Sequence, residues 1–85
     1  MQVIYSPTFL RQYKKLEGDV QKRAEEKERI FRQNPFDTRL KTHKLHGRIS
    51  NLWAFSITSK IRIVFEFGEA GSITFHAIGK HDIYE

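Results

Sequence analysis

Apolar side chains recur in this chain first at helical spacing and then at every second position. The opening "QVIYS" reads as a short strand, with Val3, Ile4 and Tyr5 the strand-forming residues and Ser6-Pro7 its end. Ser6 then stands as a helix N-cap with Pro7 at the first helical position. Phe9, Leu10, Tyr13 and Leu16 follow at helical spacing. Gly18 breaks this run, and Asp19 is placed to cap a second helix carrying Val20, Ala24, Ile30 and Phe31 as a thin apolar stripe. Glu25/Arg29 and Glu28/Arg32 add ion pairs at i,i+4 on its wet side, and Asn34-Pro35 ends it. Residues 7–33 are therefore expected to form a helical hairpin with one apolar side.

Beyond residue 50 the period falls to two. Trp53, Phe55 and Ile57 share one face, as do Ile61, Ile63, Phe65 and Phe67, and then Ile73, Phe75 and Ala77; Thr74, His76 and Ile78 oppose the last set. Thr58-Ser59 and residues 68–71 supply the turns of a three-stranded antiparallel meander. With the first strand added, the expectation is an α+β domain: a four-stranded sheet with helices packed mainly on one face. No linker, internal repeat or low-complexity segment interrupts residues 1–85, so one domain is expected.

Composition narrows the possible chemistry. The chain has no cysteine, which removes disulfides and thiolate metal sites and fits a reducing compartment. It has neither a run long enough to span a membrane nor a signal-peptide pattern, so a soluble cytoplasmic protein is expected. The net charge is +5, and it is unevenly spread: residues 1–48 carry twelve Lys/Arg against six Asp/Glu, residues 49–85 three against four. The densest stretch, "RLKTHKLHGR" at 39–48, holds Arg39, Lys41, Lys44 and Arg48, the histidines His43 and His46, and no acid. Such a patch suits RNA, DNA or an acidic protein, or else is a solvated loop.

The reagents on offer are imidazole, guanidinium, ammonium and phenol. Arg62 lies mid-strand between Ile61 and Ile63, on the face that also carries Lys60, Glu66, Ser56 and His76, where a stiff scaffold can hold bidentate donors for a phosphate. His43 and His46, three apart with Gly47 following, lack a third ligand for a metal and make better sense as acid–base groups. The terminal "IGKHDIYE" adds His81 and Tyr84 after a glycine that can turn the chain toward the Arg62 face. No phosphate-binding glycine loop, dinucleotide fingerprint or serine-triad spacing is present. The set suits cofactor-free, metal-free phosphodiester chemistry on RNA, with a 2′-hydroxyl attacking its own 3′-phosphate.

The segment "LKTHKLHGRISNLWAFSITSKIRIVFEF", the terminal "GKHDIYE" and the opening "SPTFLRQYKKL" resemble the RelE/ParE superfamily of bacterial type II toxins, most closely its RelE/YafQ-like mRNA interferases. The resemblance spans nearly the whole chain. It implies a RelE-like fold and a ribosome-dependent endoribonuclease that cuts mRNA in the decoding site beside 16S rRNA, restrained by a cognate antitoxin. Carried over by position, it implies a cleavage role for His43, a scissile-phosphate contact for Arg62, an acid–base role for His81 and base stacking for Tyr84. Lys60 would add a phosphate contact, while Lys41, Lys44 and Arg48 of the basic segment are the candidate substrate contacts, with His46, to which the resemblance assigns no role, ranked below them. The likeness departs at Ala54, where many members carry arginine, and in "SITSK", where YafQ-type toxins carry a histidine and an aspartate. A ParE-like gyrase poison, or a catalytically weak member that only binds antitoxin, are the alternatives it leaves open.

Overall fold

Ser6 sets the entry to the first helix. In the computed structural model, which describes residues 1–46 and 51–80, its Oγ accepts the Phe9 backbone N–H at 3.0 Å and donates to the His76 carbonyl at 2.9 Å. One hydroxyl thus caps α1 (Pro7–Lys14) and ties it to β5 (Ser72–Lys80), with β1 (Gln2–Tyr5) just before the cap. The second helix, α2 (Gly18–Gln33), begins two residues earlier than the sequence suggests. Glu17 is its N-cap and makes no side-chain cap bond, whereas Asp19 sits inside the first turn. There its carboxylate complements the helix dipole instead of capping. Of the two predicted ion pairs, Glu28–Arg32 forms at 3.0 Å. The Tyr5 hydroxyl donates to the same Glu28 carboxylate, and Arg32 Nη2 reaches the Tyr5 oxygen at 3.3 Å, so this cluster fastens β1 to α2.

The chain then passes through a 3₁₀ turn at Thr38–Leu40 into β2 (His43–Lys44), β3 (Leu52–Ser56), β4 (Ile61–Phe67) and β5. Among the described residues the sheet has five strands in the order β1-β5-β4-β3-β2, one more than expected. The extra member, β2, is only two residues long and lies within the basic segment, too short to show a period. It pairs antiparallel with β3, placing His43 opposite Ala54 and Lys44 opposite Trp53. At the other edge β1 runs parallel to β5, from Gln2 opposite Ser72 to Tyr5 opposite Phe75.

Both helices cover one face. Phe9, Ala24 and Phe31 pack there against Phe55, Ile63, Phe65, Ile73, Phe75 and Ile78. Phe31 is the hub, with ring centroids 4.6 Å from Phe55, 4.9 Å from Phe65 and 5.5 Å from Phe75. The alternation of β5 does not run through as expected. Phe65 faces Phe75 but Val64 faces Ala77, which leaves His76 as an extra residue in a β-bulge. The phase flips there. Ile78 joins the helix-side core, and Ala77 moves to the other face in a small cluster with Leu52 and Val64, joined by Leu45.

Candidate functional site

The sheet face away from the helices carries the candidate chemistry. Arg62, half-buried at the second position of β4, is in register with Ser56 on β3 and Gly79 on β5. Its neighbours to either side are thus a short side chain and none at all. Toward β2 the next row of the same face reads His43, Ala54, Val64 and Ala77 across four strands. His43 stands two strands and two residues from Arg62, about 10 Å across and about 7 Å along. Between them on that face lie Ala54 and Val64, both fully buried.

His43 is exposed, and its Nδ1 lies 3.0 Å from the Lys41 carbonyl oxygen. A carbonyl only accepts, so Nδ1 must carry the hydrogen and the neutral ring presents a basic Nε2 lone pair. That is the tautomer a proton acceptor needs. Lys41, in the left-handed region at φ 53°, makes the kink that turns this carbonyl toward the ring. Ala54 is fully buried, so the position where the superfamily resemblance leads one to look for an arginine contributes only floor. Lower on the same face the His76 imidazole and the Glu66 carboxylate pair at 2.9 Å.

The other predicted residues divide by geometry. Lys60 is exposed in the β3–β4 turn, two residues before Arg62, with its N–H bonded to Thr58 Oγ1 at 3.1 Å. Lys44, opposite Trp53, takes the helix-side face and is not brought together with Arg62. His46 is exposed just past β2. Arg48, His81 and Tyr84 lie outside the described residues. Among the described residues no group of three or more His, Asp or Glu side chains is placed to hold a metal ion.

A second basic feature was not legible in the sequence. Lys27 of α2 comes together with Arg39 and Lys41 along a groove of about 480 Å³ whose other wall is Ser56, Ile57, Thr58 and Ser59. Nothing in the helix pattern announces that Lys27 will meet residues twelve or more positions away. Arg39 is held by Asp37 through Nε–Oδ1 at 3.0 Å and Nη2–Oδ2 at 2.9 Å. The side-chain bonds from Arg39, then its backbone N–H, lower the Asp37 pKa to about 2.

No protein-family model matches the sequence, and no curated protein matches it. Solved structures do. The fold is similar to the YoeB/ParE toxin from Agrobacterium tumefaciens, with a TM-score of 0.81 at 18% identity over 95% of this chain and 99% of that one. YafQ from E. coli superposes with a TM-score of 0.78 at 13% identity, over 95% of this chain and 93% of that one. The RelE of the archaeal RelE–RelB complex from Pyrococcus horikoshii gives 0.77 at 14% identity, over 96% of each chain. The RelE-like fold implied by the sequence resemblance is therefore the fold observed.

Proposed function

We propose that this chain is the toxin of a toxin–antitoxin pair and an endoribonuclease that cleaves mRNA. The toxin role rests on the fold it shares with YoeB/ParE, YafQ and RelE toxins, and the antitoxin partner on neighbours such as RelE, whose structure was solved with RelB. The observation that carries the nuclease reading is the pairing on one sheet face of Arg62, between Ser56 and Gly79, with a His43 whose Nε2 is the free base.

In this reading Nε2 of His43 takes the 2′-hydroxyl proton as O2′ attacks the adjacent phosphorus. Arg62 donates to the non-bridging oxygens as negative charge builds on them. The P–O5′ bond breaks, His81 returns a proton to the departing 5′-oxygen, and a 2′,3′-cyclic phosphate remains. Tyr84 stacks on the base, while Lys60, Lys41, Lys44, His46 and Arg48 contribute to the basic surface that meets mRNA and 16S rRNA on the ribosome.

The test is expression in a bacterial host together with cleavage of ribosome-bound transcripts. Wild type should arrest growth and cut mRNA. Arg62→Ala should lower the cutting rate by about 10²- to 10³-fold and relieve the arrest, and His81→Ala should act in the same direction. Arg62→Ala and His81→Ala proteins that both remain fully toxic would sink the site assignment. Filamentation with DNA breaks and intact transcripts would point instead to a gyrase poison. Ala54, an apolar floor where a cation could stand, is the feature that favours a weak enzyme, and normal growth on expression would bear that out.

A further inference from the structure

The groove between α2 and the β3–β4 turn is built from three separated parts of the chain. Lys27 comes from α2, Arg39 and Lys41 from the 3₁₀ turn and its end, and Ser56, Thr58 and Ser59 from the end of β3 and the following turn. Among the described residues that line it there is no acid, and the one apolar member, Ile57, is buried. The groove exists because β2 stops short. That strand pairs only with Trp53 and Ala54, and Lys41 leaves the ladder in a left-handed conformation, so the edge of β3 at Ser56 is uncovered. Two of the walls carry pre-positioned donors. Lys27 Nζ is within 3.5 Å of the Arg39 carbonyl. Thr58 Oγ1 accepts the N–H groups of Lys60 and Ile61, at 3.1 and 3.0 Å, which leaves its own hydroxyl hydrogen to donate outward.

Asp37, bonded to Arg39 and within electrostatic reach of Lys27, offsets one of the three positive charges, so the groove keeps a net positive charge. Ammonium and hydroxyl donors without an apolar anchor suit a phosphate backbone, whereas a protein segment draws its affinity from apolar and aromatic anchors. Ser56 is in register with Arg62, so the groove begins one strand over from Arg62, at a backbone spacing of about 5 Å. We infer that a single RNA strand whose reacting phosphate rests on Arg62 continues over Ser56 into this groove, where Lys27, Lys41 and Thr58 hold a flanking phosphate. The inference rests on the nuclease reading for the strand's starting point and adds its exit path.

The experiment measures binding of a short 2′-O-methyl oligoribonucleotide, which has no 2′-hydroxyl to attack, across a salt series. The proteins are wild type, Lys27→Ala, Lys27→Arg and Arg62→Ala, and cleavage of ribosome-bound transcripts is followed in parallel. Lys27→Ala should weaken binding about two- to fivefold and reduce the slope of log affinity against log salt by about 0.7. Lys27→Arg should restore both, with thermal midpoints equal throughout. If Arg62→Ala weakens binding while Lys27→Ala keeps wild-type affinity and slope, the groove is overturned and the nuclease reading survives. If Lys27→Ala lowers the slope but wild type cuts no RNA, the groove stands and the nuclease reading fails. A polyglutamate peptide that loses binding in Lys27→Ala while the oligoribonucleotide does not would assign the groove to an acidic protein and overturn the inference.

Discussion

A histidine nitrogen that faces a carbonyl has no choice about its hydrogen, and at His43 this fixes which end of the ring is basic. The neighbouring Asp37–Arg39 pair shows how far one local contact can shift a titration. Both groups are solvent-exposed in the sense that matters for screening, so the pair is a poor source of stability, yet it holds the Asp37 carboxyl at about 2 instead of 3.8. In an NMR titration the Asp37 carboxyl should therefore titrate near 2, and in Arg39→Ala its midpoint should rise toward 3.8. The sign follows from the lowered value: whatever the pair adds to stability is present above about 3.8 and is lost as pH falls through about 2. Tyr5 shifts the other way. Burial and then the Glu28 carboxylate raise its pKa above 10.0, so its share of stability is complete below 10.0 and lost as pH rises through the folded value. Phenolate absorbance should show Tyr5 ionising later in the folded protein than in urea.

At the scale of elements, the first helix depends on Ser6. Ser6→Ala removes the cap on Phe9 N–H and the bond to the His76 carbonyl together. Denaturant unfolding should show a loss of about 1–2 kcal/mol, and Ser6→Thr should recover most of it. This cap was legible in the sequence because Ser-Pro before an apolar periodic run has one common structural meaning. The meander was legible for a similar reason, since Ile61, Ile63, Phe65 and Phe67 share one face only if the strand alternates. Two features were not. A strand of only His43 and Lys44 has no period, and its pairing is decided by β3. The bulge at His76 was hidden because Ala77 and Ile78 are both apolar and either could serve the core; register against Val64 and Phe65 decides between them. The residues proposed for the site differ in how they read. Arg62 stood out from its apolar flanks, whereas Lys27 belongs to the groove only through the packing of α2 beside the β3–β4 turn.

For the molecule as a whole, stability concentrates in one aromatic hub. An 85-residue domain has roughly 4–13 kcal/mol to lose. Phe31→Ala, which empties a fully buried site among Phe55, Phe65 and Phe75, should cost about 3–5 kcal/mol. Equilibrium unfolding should show that variant largely unfolded or close to it, while Phe31→Leu stays folded. Phe36 and Phe67 behave differently. They are 54% and 38% exposed and flank the one tryptophan, Trp53. Indole fluorescence will therefore respond to events at this rim before it responds to the core.

The parallel pairing of Gln2–Tyr5 with β5 also sets a schedule for synthesis. β1 is made long before its partner: the Ser6 hydroxyl reaches a carbonyl 70 positions downstream, and among the described residues β1 neighbours only β5 in the sheet. Closing so long a loop is slow and gains nothing until the far strand exists. While translation is under way the helices can form, but the sheet cannot close and the face bearing Arg62 is not assembled until Gly79, on one side of that arginine, has been made. Any function that depends on that face therefore waits for Ser72–Lys80 to leave the ribosome and take its place between β1 and β4.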